Sequence, residues 1–68
     1  MEHDLFFQRS WRGIIIKPRS VHGMLWLQTH FTSHDWPALA EGNAILEPND
    51  ATRLANDADQ AGLAILFP

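Results

Sequence analysis

Apolar residues run without interruption in three parts of the first half of the chain, and the second and third of these runs set the first expectations. Residues 11–17, Trp-Arg-Gly-Ile-Ile-Ile-Lys, place three isoleucines side by side. Their stiff β-branched side chains fit a pleated surface better than a helix, so the run predicts a strand. Pro18-Arg19-Ser20 breaks it, because proline removes a ladder donor and pre-sets a turn angle. In residues 21–31, alternation places Met24, Trp26, Gln28 and His30 on one face and Leu25, Leu27, Thr29 and Phe31 on the other. That period of two predicts a second strand. The short proline-containing link makes the pair an antiparallel hairpin. Gly13 and Gly23 then mark bulges or points of close approach. Residues 1–10 carry less pattern: Leu5-Phe6-Phe7 either begins a strand or packs as a tail.

Farther along, Thr32-Ser33-His34-Asp35 is a helix start, with Ser33 or Asp35 able to cap exposed N–H groups. Pro37 suits the first turn of a helix Trp36–Glu41 that stops at Gly42. Ala44-Ile45-Leu46 is a brief strand. Pro48-Asn49-Asp50 opens a second helix, capped by Asn49 or Asp50. In it Ala51, Leu54, Ala55, Ala58 and Ala61 form one apolar stripe while Thr52, Arg53, Asn56, Asp57, Asp59 and Gln60 face water. Gly62 ends this helix, and the continuous apolar run Leu63–Phe67 reads as a buried strand. Strand, helix and strand over 44–67 imply a right-handed parallel crossover.

The expected fold class is α+β: a β-hairpin followed by strand-helix-strand-helix-strand, a small two-layer sheet with helices on one face. The whole chain, 1–68, is read as a single small α/β domain with 1–10 as an arm.

Composition sharpens this picture. The chain has 68 residues, of which 46% are hydrophobic and 19% charged, enough apolar content for one folded domain. A domain this short buries only about 60% of its unfolded surface. Help from a disulfide, a metal or a partner is therefore expected. Cysteine is absent, which removes disulfides, thiolate zinc sites and cysteine nucleophiles. The net charge of −3 is unevenly spread. Residues 1–34 set four cations against two carboxylates (+2), and residues 35–68 set Arg53 against six carboxylates (−5). Such a split can steer two copies together or present different faces to different partners. No run approaches the roughly 20 apolar residues of a membrane span. The start, Met1-Glu2-His3-Asp4, is acidic where an export leader is basic. A soluble cytoplasmic protein without membrane contact is expected.

The functional expectation follows from an imbalance. Strands 11–17, 21–31 and 63–67 are apolar on both faces, whereas two short helices clad only one. The bare face would show Trp11, Ile15, Met24 and Trp26, together with Lys17 or His30, and an apolar patch of that kind marks an interface. The alternative is that Leu5, Phe6 and Phe7 of the arm fold back over it. The leading expectation is a non-enzymatic protein–protein interaction module or small regulator. It would self-associate as a dimer or dock on a protein, with no cofactor and no small-molecule substrate.

Other chemistries are thinner. His30-x-x-x-His34-Asp35 is the one cluster of metal-ligand character, and it needs a further ligand such as His22 or His3. No hydroxyl sits in a nucleophile-elbow sequence, and there is no phosphate-binding glycine loop. Arg9, Arg12, Lys17 and Arg19 beside Trp11 offer a nucleic-acid contact, set against a sequence pI of about 5.6. Conversely, Glu41, Glu47, Asp50, Asp57 and Asp59 could let the chain act as an acidic inhibitor of a nucleic-acid-binding protein.

Overall fold

The computed structural model describes residues 3–68 and contains four strands and three α-helices. Strand β1 (Leu5–Ser10) and strand β2 (Gly13–Pro18) form an antiparallel hairpin closed by Trp11 and Arg12. Helix α1 (Val21–His30) follows, then a 3₁₀ turn (Ser33–Asp35) leading into helix α2 (Trp36–Glu41). Strand β3 (Ala44–Leu46), helix α3 (Pro48–Gln60) and strand β4 (Ile65–Leu66) complete the chain. The sheet order is β3-β2-β1-β4. β3 is antiparallel to β2, and β4 is parallel to β1. The α+β class and the single layer of helices are as expected. β3 and β4 run parallel at opposite edges of the sheet, so the crossover through α3 spans both hairpin strands.

Two expectations are corrected. Residues 21–31 are not a strand but α1 and the residue that caps it. The hairpin is therefore not 11–17 with 21–31 but β1 with β2, and Trp11 lies in its turn. The reason is local. Ser20 is an N-cap in extended conformation whose Oγ accepts from the Gly23 N–H at 2.9 Å. Met24, Leu25, Leu27 and Gln28, none of them branched at Cβ, lose little rotamer freedom in a helix. The expected arm is likewise corrected: residues 5–10 form a central strand, and Leu5 and Phe7 are fully buried in the core. Met1 and Glu2 lie outside the described residues.

Smaller shifts occur at helix starts. Asp35 precedes α2 without a side-chain cap bond, and Glu47, rather than Asn49 or Asp50, precedes α3, with Pro48 in its first turn. Gly42 closes α2 in the left-handed region at φ 75°. In the α3 stripe, Ala51, Leu54 and Ala58 are buried, Ala55 is half-buried and Ala61 is exposed. The last strand narrows to Ile65–Leu66, although Leu63 is buried ahead of it.

One core joins the layers. The sheet contributes Leu5, Phe7, Ile14 and Ile16, α1 gives Leu27, α2 gives Leu39, and α3 gives Ala51, Leu54 and Ala58. At the β4 edge Phe67 stacks on Phe7 at 5.0 Å between ring centroids. The Arg9 guanidinium lies 5.0 Å over the Phe67 ring, and its Nε donates to the Pro68 carbonyl at 2.8 Å.

Asp4 ties three segments together. Its Oδ1 accepts from Ser20 Oγ at 2.6 Å and its Oδ2 from the Ala64 N–H at 2.9 Å. Its backbone N–H donates to the Ala64 carbonyl at 2.7 Å, and its carbonyl accepts from the Arg19 N–H at 2.8 Å. α1 approaches this knot so closely that a Cβ on Gly23 would collide with the Asp4 carbonyl oxygen. The Ser20 hydroxyl and then the Ala64 N–H hold the Asp4 carboxyl below its ordinary value of 3.8, against an opposing effect of desolvation and with lesser help from the nearby His22 and His3.

Candidate protein-docking surface

Strand alternation divides the sheet into two chemically different faces. Leu5, Phe7, Ile14 and Ile16 point to the helices and are buried. Phe6, Gln8, Ile15, Lys17, Ile45 and Leu66 point the other way. Pairing sets them side by side: Phe6 lies opposite Lys17 and beside Leu66, and Ile15 lies between Gln8 and Ile45. The outer face is thus an apolar band, Phe6, Ile15, Ile45 and Leu66, crossed by Gln8 and Lys17. The three aliphatic or aromatic residues of the inner strands and β3 are half-buried by one another, and Leu66 is exposed. Within this band the Gln8 Oε1 is shielded and has no hydrogen-bond donor.

The four expected contact residues occupy three separate places. Ile15 is at the centre of the outer face. Trp11 is at the hairpin tip, 93% exposed, with the Arg12 guanidinium 5.8 Å from its ring centroid. Met24 and Trp26 belong to α1 and pack against the rim of the core on the helical side, which removes them from the sheet face. Their assignment assumed that 21–31 was a strand. Phe6, Ile45 and Leu66 take their place. The sequence signal for Phe6 was the apolar run Leu5-Phe6-Phe7 ahead of a Trp-Arg-Gly turn.

The basic residues do not gather. Arg9 is engaged with Phe67 and Pro68 and Arg12 is at the tip, whereas Lys17 and Arg19 lie toward the other end of β2, about 17 Å away at strand rise. Nor do the histidines and Asp35 form a ligand set. The His30 ring stacks on Trp26 at 3.9 Å, with its Nδ1 within hydrogen-bond distance of Thr29 Oγ1 and the Trp26 carbonyl. The described residues contain no group of three side chains that could hold a metal ion. Glu41, Glu47, Asp50, Asp57 and Asp59 are all exposed, on or beside α2 and α3. Among the described residues no helix is long and apolar enough to cross a membrane.

This α+β unit coincides with a described class of domain. The model of the cyanobacterial NIF11-like domain matches residues 6–67, which takes in every helix and nearly every strand residue. The chain belongs to the NIF11-like domain family. No curated protein and no solved structure matches it.

Proposed function

We propose that the chain is a non-enzymatic protein–protein interaction module that pairs with a second copy of itself through the outer sheet face. The observation that supports this is the placement of Phe6, Ile15, Ile45 and Leu66 on the side of the sheet opposite all three helices. Residues 5–10 of the expected folded-back arm are instead a strand within the sheet. Water contact with an apolar band is unfavourable by about 25 cal/mol per Å².

Size sets the strength of the pairing. Four strands about 4.8 Å apart, the longest of six residues at about 3.3 Å each, give a face on the order of 400 Å², about half the roughly 800 Å² per partner of a standard complex. A dimer built on it is expected to be reversible in the micromolar range. Ile15→Lys places a charge at the centre of the face while leaving the buried Ile14 and Ile16 untouched. The expected result is a folded monomer, with an unchanged circular dichroism spectrum and half the wild-type mass. A variant that keeps the wild-type mass would refute the proposal.

A further inference from the structure

On the helical side, a groove runs beside the free edge of β3. One part, about 330 Å³, lies between the β3 residues Ala44–Leu46 and Phe31, Asp35 and Ala38. The second part, about 230 Å³, continues from Phe31 and Leu46 to Leu54, Asp50 and Asp57 of α3. The floor is apolar, and the walls carry three carboxylates (Asp35, Asp50 and Asp57) against the single cation Arg53. Because β3 ends the sheet order, one side of it pairs with β2 and the other has no strand partner among the described residues. Backbone N–H and C=O groups on that side stand ready to pair with a further strand.

These features together select one kind of occupant. A helix is about 10 Å across and holds its own backbone bonds, so it could not use the open strand edge. An extended segment could use it, and it would send alternate side chains into the groove and toward water. The acidic walls favour cations two positions to either side of the inserted side chain, on the same face of the extended segment. We propose that the β3 groove binds an extended basic peptide segment as an added strand, with an apolar side chain seated on Phe31, Leu46 and Leu54 and lysines or arginines beside Asp35, Asp50 and Asp57. The site is separate from the outer sheet face, and a monomeric chain would bind as well as a dimeric one.

The test uses the full chain and a fluorescein-labelled, end-blocked peptide Lys-Ser-Leu-Ser-Lys, in which the leucine and both lysines share one face of the extended chain, read by fluorescence anisotropy. Saturable binding below about 1 mM is expected, weakening as salt rises. The counterpart Glu-Ser-Leu-Ser-Glu should bind at least about tenfold more weakly, a difference of about 1.4 kcal/mol. Backbone N-methylation of the basic peptide should abolish binding by removing the strand donors. Asp57→Lys, on the exposed side of α3, should weaken binding about threefold to tenfold with the fold intact, and Asp50→Asn should do so less. Amide shifts in a heteronuclear spectrum should cluster at Phe31, Ala44, Leu46 and Arg53. No saturable binding at 1 mM, equal binding of the acidic peptide, or insensitivity to N-methylation would overturn the proposal. Shifts centred on Phe6, Gln8 and Ile15 would overturn it as well. The outer-face proposal is judged separately, by the mass of Ile15→Lys.

Discussion

Replacing Gly23 by alanine inverts the usual expectation for a helix interior. Glycine to alanine within a helix ordinarily stabilises by about 1 kcal/mol, and Gly23 sits in the first turn of α1. Here the added Cβ would run into the Asp4 carbonyl oxygen and crowd the Leu5 Cδ2 at 3.2 Å. Asp4 cannot step aside cheaply. Its carbonyl is held by the Arg19 N–H, its N–H by the Ala64 carbonyl, and its carboxylate by Ser20 and Ala64. Leu5, next along, is fully buried. Overpacking of this kind costs about 1–3 kcal/mol, and losing one of the bonds adds about 0.5–1.5 kcal/mol. After subtracting the propensity gain, Gly23→Ala is expected to destabilise by about 1–3 kcal/mol, a fall in Tm of about 5–20 °C for a domain this size. Thermal and urea unfolding followed at 222 nm, with wild type and variant at one protein concentration, would measure it. A variant as stable as wild type or more so would show that α1 does not rest on the Asp4 backbone, and the packing described for this end of the sheet would be wrong.

Other outcomes follow from the same packing. Leu25 and Leu27 would share a face in a strand but not in α1, where Leu25 is 56% exposed and Leu27 is fully buried. Leu27→Ala should cost about 2–5 kcal/mol and Leu25→Ala less than about 0.5 kcal/mol, and equal losses in chemical denaturation would argue for the strand. The Asp4 carboxyl has its pKa lowered in the folded chain. Its contribution is therefore present above the unfolded value of 3.8 and is lost as pH falls through the lower folded value. Asp4→Asn should lower Tm at pH 6, and the gap should narrow as pH falls below 3.8 and close below the lowered folded value; a gap independent of pH would contradict the role given to that charge. Arg9→Ala should cost about 1–2 kcal/mol, from the lost contact over Phe67 and the bond to Pro68, with no change in association measured by light scattering.

Much of the second half was legible in the sequence because each element carries its own punctuation. Pro37 and Gly42 bracket α2, Pro48 and Gly62 bracket α3, and the buried Ala51, Leu54 and Ala58 recur at helical spacing. The first half misleads because Met24-Leu25-Trp26-Leu27 is apolar throughout, and continuous apolarity fits a strand and a helix equally well. The deciding signal was Ser20, whose hydroxyl caps α1, read there only as the end of a strand-breaking turn. Placing 21–31 in the sheet displaced 5–10 from it, since a small sheet has few central positions. The outer face therefore kept its apolar character but changed its members: Ile15 stayed, Met24 and Trp26 went to the helical layer, and Phe6, Ile45 and Leu66 entered. Asp4 left no trace in any pattern, because its role depends on Ser20 and Ala64, 16 and 60 residues away in sequence.

The outer face is tested most directly by the solution mass of the unaltered chain. Static light scattering across the micromolar range, from a few to several hundred micromolar, should show the mass rising from one 7.7 kDa chain toward two, with Ile15→Lys remaining at one throughout. A wild-type mass that stays at a single chain up to the highest concentration would contradict pairing through Phe6, Ile15, Ile45 and Leu66.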